Sequence, residues 1–201
     1  MQHVKFTEMQ YGDREDYEYL REHELEYAAH TGARLLDALL LLDNSMGGYQ
    51  VTRLEHSLQS ASRASRDGAD IDWVVSALLH DVADPYAPYN HDEMAAIIVA
   101  PFVREQCSWS VRVHGAFQKI YYGDKLGENP NSRDKFRGHL YFDDCVEFCA
   151  RWDQCAFDPN YDTLPLEFFE PLVLEVFARE PYAAASVMAN TRLPLVATST
   201  T

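Results

Sequence analysis

Apolar residues recur along this chain at intervals of three and four rather than two, the period of helices packed by one face. From Asp16 to Leu42 the positions Leu20, Leu25, Ala28, Leu35, Leu39 and Leu42 form such a stripe, which predicts one long helix with a break near Gly32. DNSMGGYQ (43–50) reads as a turn cluster, and RLEHSLQSASRASRDG as a second helix that stops at Gly68. ADIDWVVSALLHDVAD reads as a third. Asp70 and Asp72 suit its first turn, and WVVSALL is apolar nearly all round, so this helix is expected to be central and buried. After the proline-punctuated DPYAPYN loop, Asn90 with Glu93 reads as a capping pair opening DEMAAIIVAPFV, with Pro101 kinking or ending that helix. SWSVRVHGAFQKIYYG is expected to be helical as far as Gly123, and GENPNSRDKFRGH to be a polar connection with room for a short helical turn. FDDCVEFCARWDQC, PLEFFEPLVLEVFAR and the region of PYAAASVMA supply the last helices, and LPLVATSTT reads as a loose tail. No segment sustains strand alternation and no internal repeat is present, so the expected fold is all-α.

A length of 201 residues suits one domain with a proper core, taken as 1–201. The formal charge of −15 is spread along the chain rather than gathered in a tail. Such a surface repels phosphate backbones and anionic membranes, which argues against nucleic acid or a membrane as partner. An anionic small substrate would need a local positive feature, and a bound metal pair is the obvious one. The N-terminal stretch has no apolar signal-peptide region, and the longest apolar run, Met94 to Ala100, is too short to span a bilayer. The four cysteines form no CxxC pair; Cys145 and Cys149 stand at helical spacing, which favours buried reduced thiols and a cytoplasmic setting. The oligomeric state is left open.

Polar side chains at inward positions carry the chemistry. His80 and Asp81 follow the most apolar helix directly. His56 shares the stripe of Leu54, Leu58 and Ala61, His91 opens the next helix, His114 lies at the apolar-facing end of VRVHGAF, and Asp153 falls one turn beyond Cys149. Any one of these alone reads more simply as a core residue bonded to a neighbour. Four histidines and two aspartates converging from five successive helices read as a metal site, because a carboxylate in a core needs a cation and neutral imidazoles are natural ligands.

The order His56 … His80-Asp81 … His91 … His114 … Asp153 resembles the HD-domain superfamily, which implies a helical bundle of that type. His56, His80, Asp81 and Asp153 match the basic phosphohydrolase set, and the added pair His91 and His114 matches the binuclear branch. That branch resembles the mixed-valent diiron oxygenases, and RLEHSLQSASRA followed by ALLHD is closest to their phosphonate-degrading group. The likeness covers roughly residues 45–157; the helix 16–42 and the helices in 165–190 lie outside it. It implies two iron ions, Fe(II) and Fe(III), with Asp81 bridging an iron held by His56, His80 and Asp153 to one held by His91 and His114. It also implies O2 as co-substrate and oxidative cleavage of the C–P bond in a small organophosphonate.

Substrate choice turns on departures from that group. Its primary-amine member carries HDxxH and a Tyr and Glu gate; this chain has HDVAD, with Asp84 in the histidine's place, and Tyr49 near the gate with no glutamate. Tyr49, Tyr86, Tyr89, Phe117, Tyr121, Tyr122 and Trp152 all lie near ligands in sequence. Two readings stand side by side: an aromatic cage with a carboxylate for a quaternary ammonium, or ordinary core packing. The first implies a substrate like (R)-1-hydroxy-2-(trimethylammonio)ethylphosphonate, yielding glycine betaine and phosphate. Lys119 and Arg151 are the candidate phosphonate cations and otherwise read as surface residues. The rival functions are a metal-dependent phosphohydrolase acting on a phosphate ester or nucleotide, and a non-catalytic metabolite-binding HD domain.

Overall fold

Helix α4 (Ile71–Leu79) lies at the centre of the molecule, for the reason its sequence suggests. Asp70 caps it by accepting from the Trp73 N–H (3.2 Å), and every residue from Asp72 to Leu79 is buried. A computed structural model describes residues 3–196 as all-α. The helices are α1 (Arg14–Ala29), α2 (Thr31–Leu40), α3 (Arg53–Arg66), α4, α5 (His91–Val99), α6 (Glu105–Tyr122), α7 (Phe142–Phe148), α8 (Leu166–Phe177) and α9 (Ala184–Val187). Helices α3, α6 and α8 surround α4, and α5 lies along α6. Their buried side chains form one continuous core running from Leu35 through Trp73, Phe117, Phe148 and Trp152 to Leu195. Two 3-10 turns, Gly123–Leu126 and Ser132–Phe136, fill the polar connection before α7.

The N-terminal helix is broken close to Gly32, though not at it. The chain breaks at His30 (φ −92°, ψ 13°), where Thr31 Oγ1 donates to Ala28 O (2.7 Å) and Arg34 Nη1 to Tyr27 O (2.7 Å), satisfying carbonyls at the end of α1. Gly32 lies inside α2, and its missing side chain has a packing use: a Cβ there would stand 3.1 Å from Phe177 Cβ of α8. Only the second half of the apolar stripe is buried, through Leu35, Leu39 and Leu42; Leu25 on α1 is 63% exposed.

Two further expectations are corrected. Asn90 makes no capping bond, because its backbone (φ −149°, ψ 35°) lies outside the extended region a side-chain cap requires; Asp92 Oδ1 accepts from the Glu93 N–H instead (2.8 Å). The stretch read as a loose tail is stitched down as far as Val196. Gln106 on α6 is fully buried and exchanges two hydrogen bonds with the Leu193 backbone (2.8 and 3.2 Å), Arg192 pairs with Asp144, and Ala69 bridges Val196. Polar groups buried on α6 and α7 need partners, and the tail supplies them. Residues 197–201 of that stretch lie outside the described residues.

Asp72, which suits a helix first turn, is also the hub of a buried ion network. Its Oδ1 accepts from Arg179 Nη1 (2.7 Å) and its Oδ2 from the Arg104 N–H (2.9 Å), with Arg104 Nη1 at 3.4 Å. Removing one partner from such a network leaves uncompensated charge, so Asp72→Ala is expected to cost about 3–5 kcal/mol, read from urea midpoints.

Candidate metal centre

Each inward polar residue is aimed by a distinct local device. Thr52 caps α3 through the Glu55 N–H (3.1 Å) and sets its register, which turns His56 inward one turn later. His80 is the C-cap of α4, so Asp81 begins the turn that leaves it. His91 is the first residue of α5 and His114 sits midway along α6. Asp153 ends a single π-helical turn, Cys149–Asp153, closed by the Gln154 N–H on Cys149 O (3.0 Å). Such a turn carries one residue more than an α-turn and so changes the direction in which the side chains at its end point.

These devices bring all six side chains together. Asp81 stands between two sets. Its Oδ2 faces His56 Nε2 (3.5 Å) and His80 Nε2 (3.4 Å), and both imidazoles also face Asp153 Oδ1 (3.4 and 3.6 Å). Its Oδ1 faces His91 Nε2 (3.2 Å) and His114 Nε2 (3.5 Å). All except His91 are almost fully buried. The residues form three overlapping groups able to hold a metal ion: His56, His80 and Asp81; His80, His114 and Asp153; Asp81, His91 and His114.

The hydrogen bonds behind the rings show why a cation fits. His56 Nδ1 meets Ala156 O (3.0 Å), His80 Nδ1 meets Ala77 O (2.8 Å) and His114 Nδ1 meets Val111 O (2.7 Å). A carbonyl only accepts, so Nδ1 carries the proton in each and the neutral ring presents an Nε2 lone pair to the centre. His56 Nε2 and His80 Nε2 then face each other at 3.1 Å, lone pair to lone pair. Asp81 Oδ1 and Asp153 Oδ2 are buried without a hydrogen-bond donor. Converging lone pairs and orphaned carboxylate oxygens are what a metal ion satisfies.

The charges agree. Burial alone would raise both carboxyls. The imidazoles of His80, His114 and His91 and the guanidinium of Arg53 nevertheless hold Asp81 well below the usual carboxylate range, and those of His80 and His56 lower Asp153. Burial opposes the protonated forms of His91 and His114, yet Asp81 raises both. Protons and a metal therefore compete for the same Nε2 atoms.

A cavity of about 900 Å³ opens onto this centre. Tyr49, Tyr122 and Asp84, expected near substrate, line it, as does Tyr121. Lys119 and Arg151 do not: Lys119 pairs with Glu128 (2.7 Å) and Arg151 with Asp67 (3.0 Å), both toward solvent. Five residues of helix rotate a side chain about 140° from its starting face, so closeness to His114 in sequence turns Lys119 away from the site. The ring set is also smaller than expected. Tyr86 and Tyr89 are exposed, while Phe117 and Trp152 are core residues, the latter bonding Asp67 through its indole N–H (2.9 Å).

Phe157 and Arg53 are among the lining residues not expected from the sequence. Phe157 stacks on His56 (4.3 Å between centroids) and on Tyr49 (4.9 Å); it lies beyond the turn after Asp153, where no helical period announces it. Arg53 stands three residues before His56, on the same helical face, and Nη2 bonds Asp81 Oδ2 (2.7 Å). That spacing is the signal by which it could have been found. Asp84 is not a free carboxylate, since its Oδ1 lies 3.7 Å from Arg53 Nη2 and 3.6 Å from His91 Nδ1.

Among the described residues no helix is long and apolar enough to cross a membrane. In comparison with known proteins, the chain matches no protein-family model and no curated protein sequence.

Proposed function

We propose that this chain is an O2-dependent diiron oxygenase that cleaves the C–P bond of a 1-hydroxyphosphonate. The observation that carries the reading is the division of ligands by Asp81, whose two oxygens face separate imidazole pairs. A bridging carboxylate between two metal ions has that arrangement, whereas one ion needs only a single set. His56, His80, Asp153 and Asp81 Oδ2 would hold one iron, and His91, His114 and Asp81 Oδ1 the other. Two irons, one ferrous and one ferric, supply redox chemistry toward O2 and Lewis acidity toward the hydroxyl and phosphonate oxygens.

The protein residues orient and enclose the substrate. The second set has fewer protein ligands, so an ion held there would keep more positions open to substrate. Tyr49, Tyr121 and Tyr122 line the same space, with Phe157 stacked on both Tyr49 and His56, and a quaternary ammonium binds aromatic faces by cation–π attraction. Asp84 lines that wall too, but it faces Arg53 and His91, so the aromatic rings carry the ammonium reading. These features support (R)-1-hydroxy-2-(trimethylammonio)ethylphosphonate as substrate, with glycine betaine and phosphate as products.

Anaerobic iron loading followed by electron paramagnetic resonance tests the proposal. A mixed-valent signal that changes when this phosphonate is added, and O2 uptake matched one-to-one by phosphate release, are expected. Phosphate-ester hydrolysis without O2, supported by redox-inert divalent ions, would instead establish the phosphohydrolase reading. Turnover of the primary amine but not the trimethyl compound would remove the aromatic cage.

A further inference from the structure

Arg53 is an expensive residue to keep where it stands. It occupies the first position of α3, next to the Thr52 cap, where the helix dipole disfavours a cation. The residue is only 8% exposed, and its Nε is buried without a hydrogen-bond partner. Two carboxylates engage Nη2, Asp81 at 2.7 Å and Asp84 at 3.7 Å, but a guanidinium has five N–H donors and these contacts use one end of the fork. Charge balance for Asp81 does not account for it, because metal ions held by Asp81 would compensate that carboxylate already.

Arg53 is also the one lysine or arginine lining the cavity among the described residues. The rest of the chain carries a net charge of the opposite sign to what an anion needs. An arginine fork suits a tetrahedral oxyanion better than a lysine does, because its donors are planar and paired.

We propose that Arg53 binds the anionic head of the substrate, with Asp81 and Asp84 holding Nη2 so that Nη1 is left for a phosphonate or phosphate oxygen. This deepens the oxygenase reading and rests on it for the identity of the substrate, but not for the binding itself. Asp84 then becomes a positioning residue, fixing Arg53 and the His91 ring together.

Inorganic phosphate serves as the probe, titrated calorimetrically into anaerobic iron-loaded protein, with iron content measured on each sample. Arg53→Gln is expected to weaken phosphate binding roughly 10- to 100-fold when it is compared with wild type at matched iron content, with enough iron supplied to offset the loss of the Arg53 bond to Asp81. Arg53→Lys, which keeps the charge and loses the fork, is expected to fall between the two. Unchanged phosphate affinity in an iron-replete Arg53→Gln protein overturns the proposal, as does failure of wild-type protein to bind phosphate at all. Should Arg53→Gln fail to load iron, a structure of iron-loaded wild-type protein with phosphate decides. A phosphate oxygen within hydrogen-bond distance of Arg53 is expected; a phosphate away from Arg53 overturns the assignment. Failure of the oxygenase reading looks different, since Arg53-dependent phosphate binding would then occur without O2 consumption.

Discussion

Asp81→Asn is expected to leave the protein with almost no bound metal. Asparagine keeps the shape of the side chain but removes its charge, and it replaces one carboxylate oxygen with an amide nitrogen that donates rather than ligates. Both oxygens matter, because Oδ1 faces His91 and His114 while Oδ2 faces His56 and His80. No other residue of the cluster touches both sets through different atoms in this way. Substituting a mere outer-shell partner of a metal ligand already lowers affinity about 10- to 100-fold, so loss of a shared ligand should exceed roughly 100-fold. Metal content by mass spectrometry, with helical content by circular dichroism as a control for folding, provides the measurement. A folded Asp81→Asn protein that retains its full metal complement would show that Asp81 does not bridge.

His91→Ala should have a narrower effect on metal and an equally deep one on chemistry. His91 reaches the centre through Nε2, 3.2 Å from Asp81 Oδ1, and is the most exposed of the six, with 22% of its side chain accessible. The set formed by His56, His80, Asp153 and Asp81 Oδ2 does not depend on it. Iron is therefore expected to fall from two ions to one per chain, with the mixed-valent signal gone and O2 uptake at background. Because the ring is partly exposed, the metal-free variant should stay within about 1 kcal/mol of wild type in stability. Retained O2 uptake in the one-iron protein would contradict the diiron reading. A retained phosphate-ester hydrolysis, by contrast, would fit the basic ligand set of a hydrolase.

Asp81→Asn and His91→Ala differ because the two residues occupy different places in the fold. Asp81 leaves the central helix at its buried end, where α3, α5, α6 and the turn after α7 all converge. His91 begins a peripheral helix after an exposed loop. The same contrast explains why Asp72, on the far end of α4, matters for stability while remaining outside the cavity.

Much of this is legible in the order of residues. Helical period and the apolar WVVSALL segment identify the class of fold and its central element, since burial on all faces leaves a compositional trace. The six inward polar residues are legible for a related reason: a histidine or aspartate on an apolar face is costly without a partner, so six of them imply a shared one. The failures have equally plain causes. Lys119 and Arg151 are near the ligands only by distance along the chain, and helix rotation sends both to solvent. The break before α2 comes at His30 because side chains of Thr31 and Arg34 satisfy the end of α1, whereas Gly32 is needed for close approach to α8. Arg53 carries a usable signal, its i,i+3 relation to His56, set against the ordinary exposure of arginine.

An all-α chain, and the residue types that meet at its centre, follow from the linear pattern alone, because both depend on which side chains tolerate water. How those residues divide is a matter of packing in three dimensions. Asp81 turns one oxygen to each imidazole pair, a π-helical turn swings Asp153 beneath His56 and His80, and Arg53 rather than Lys119 or Arg151 faces the cavity. Such choices depend on the angles at which helices far apart in sequence cross and end, and no local pattern of polarity encodes those angles.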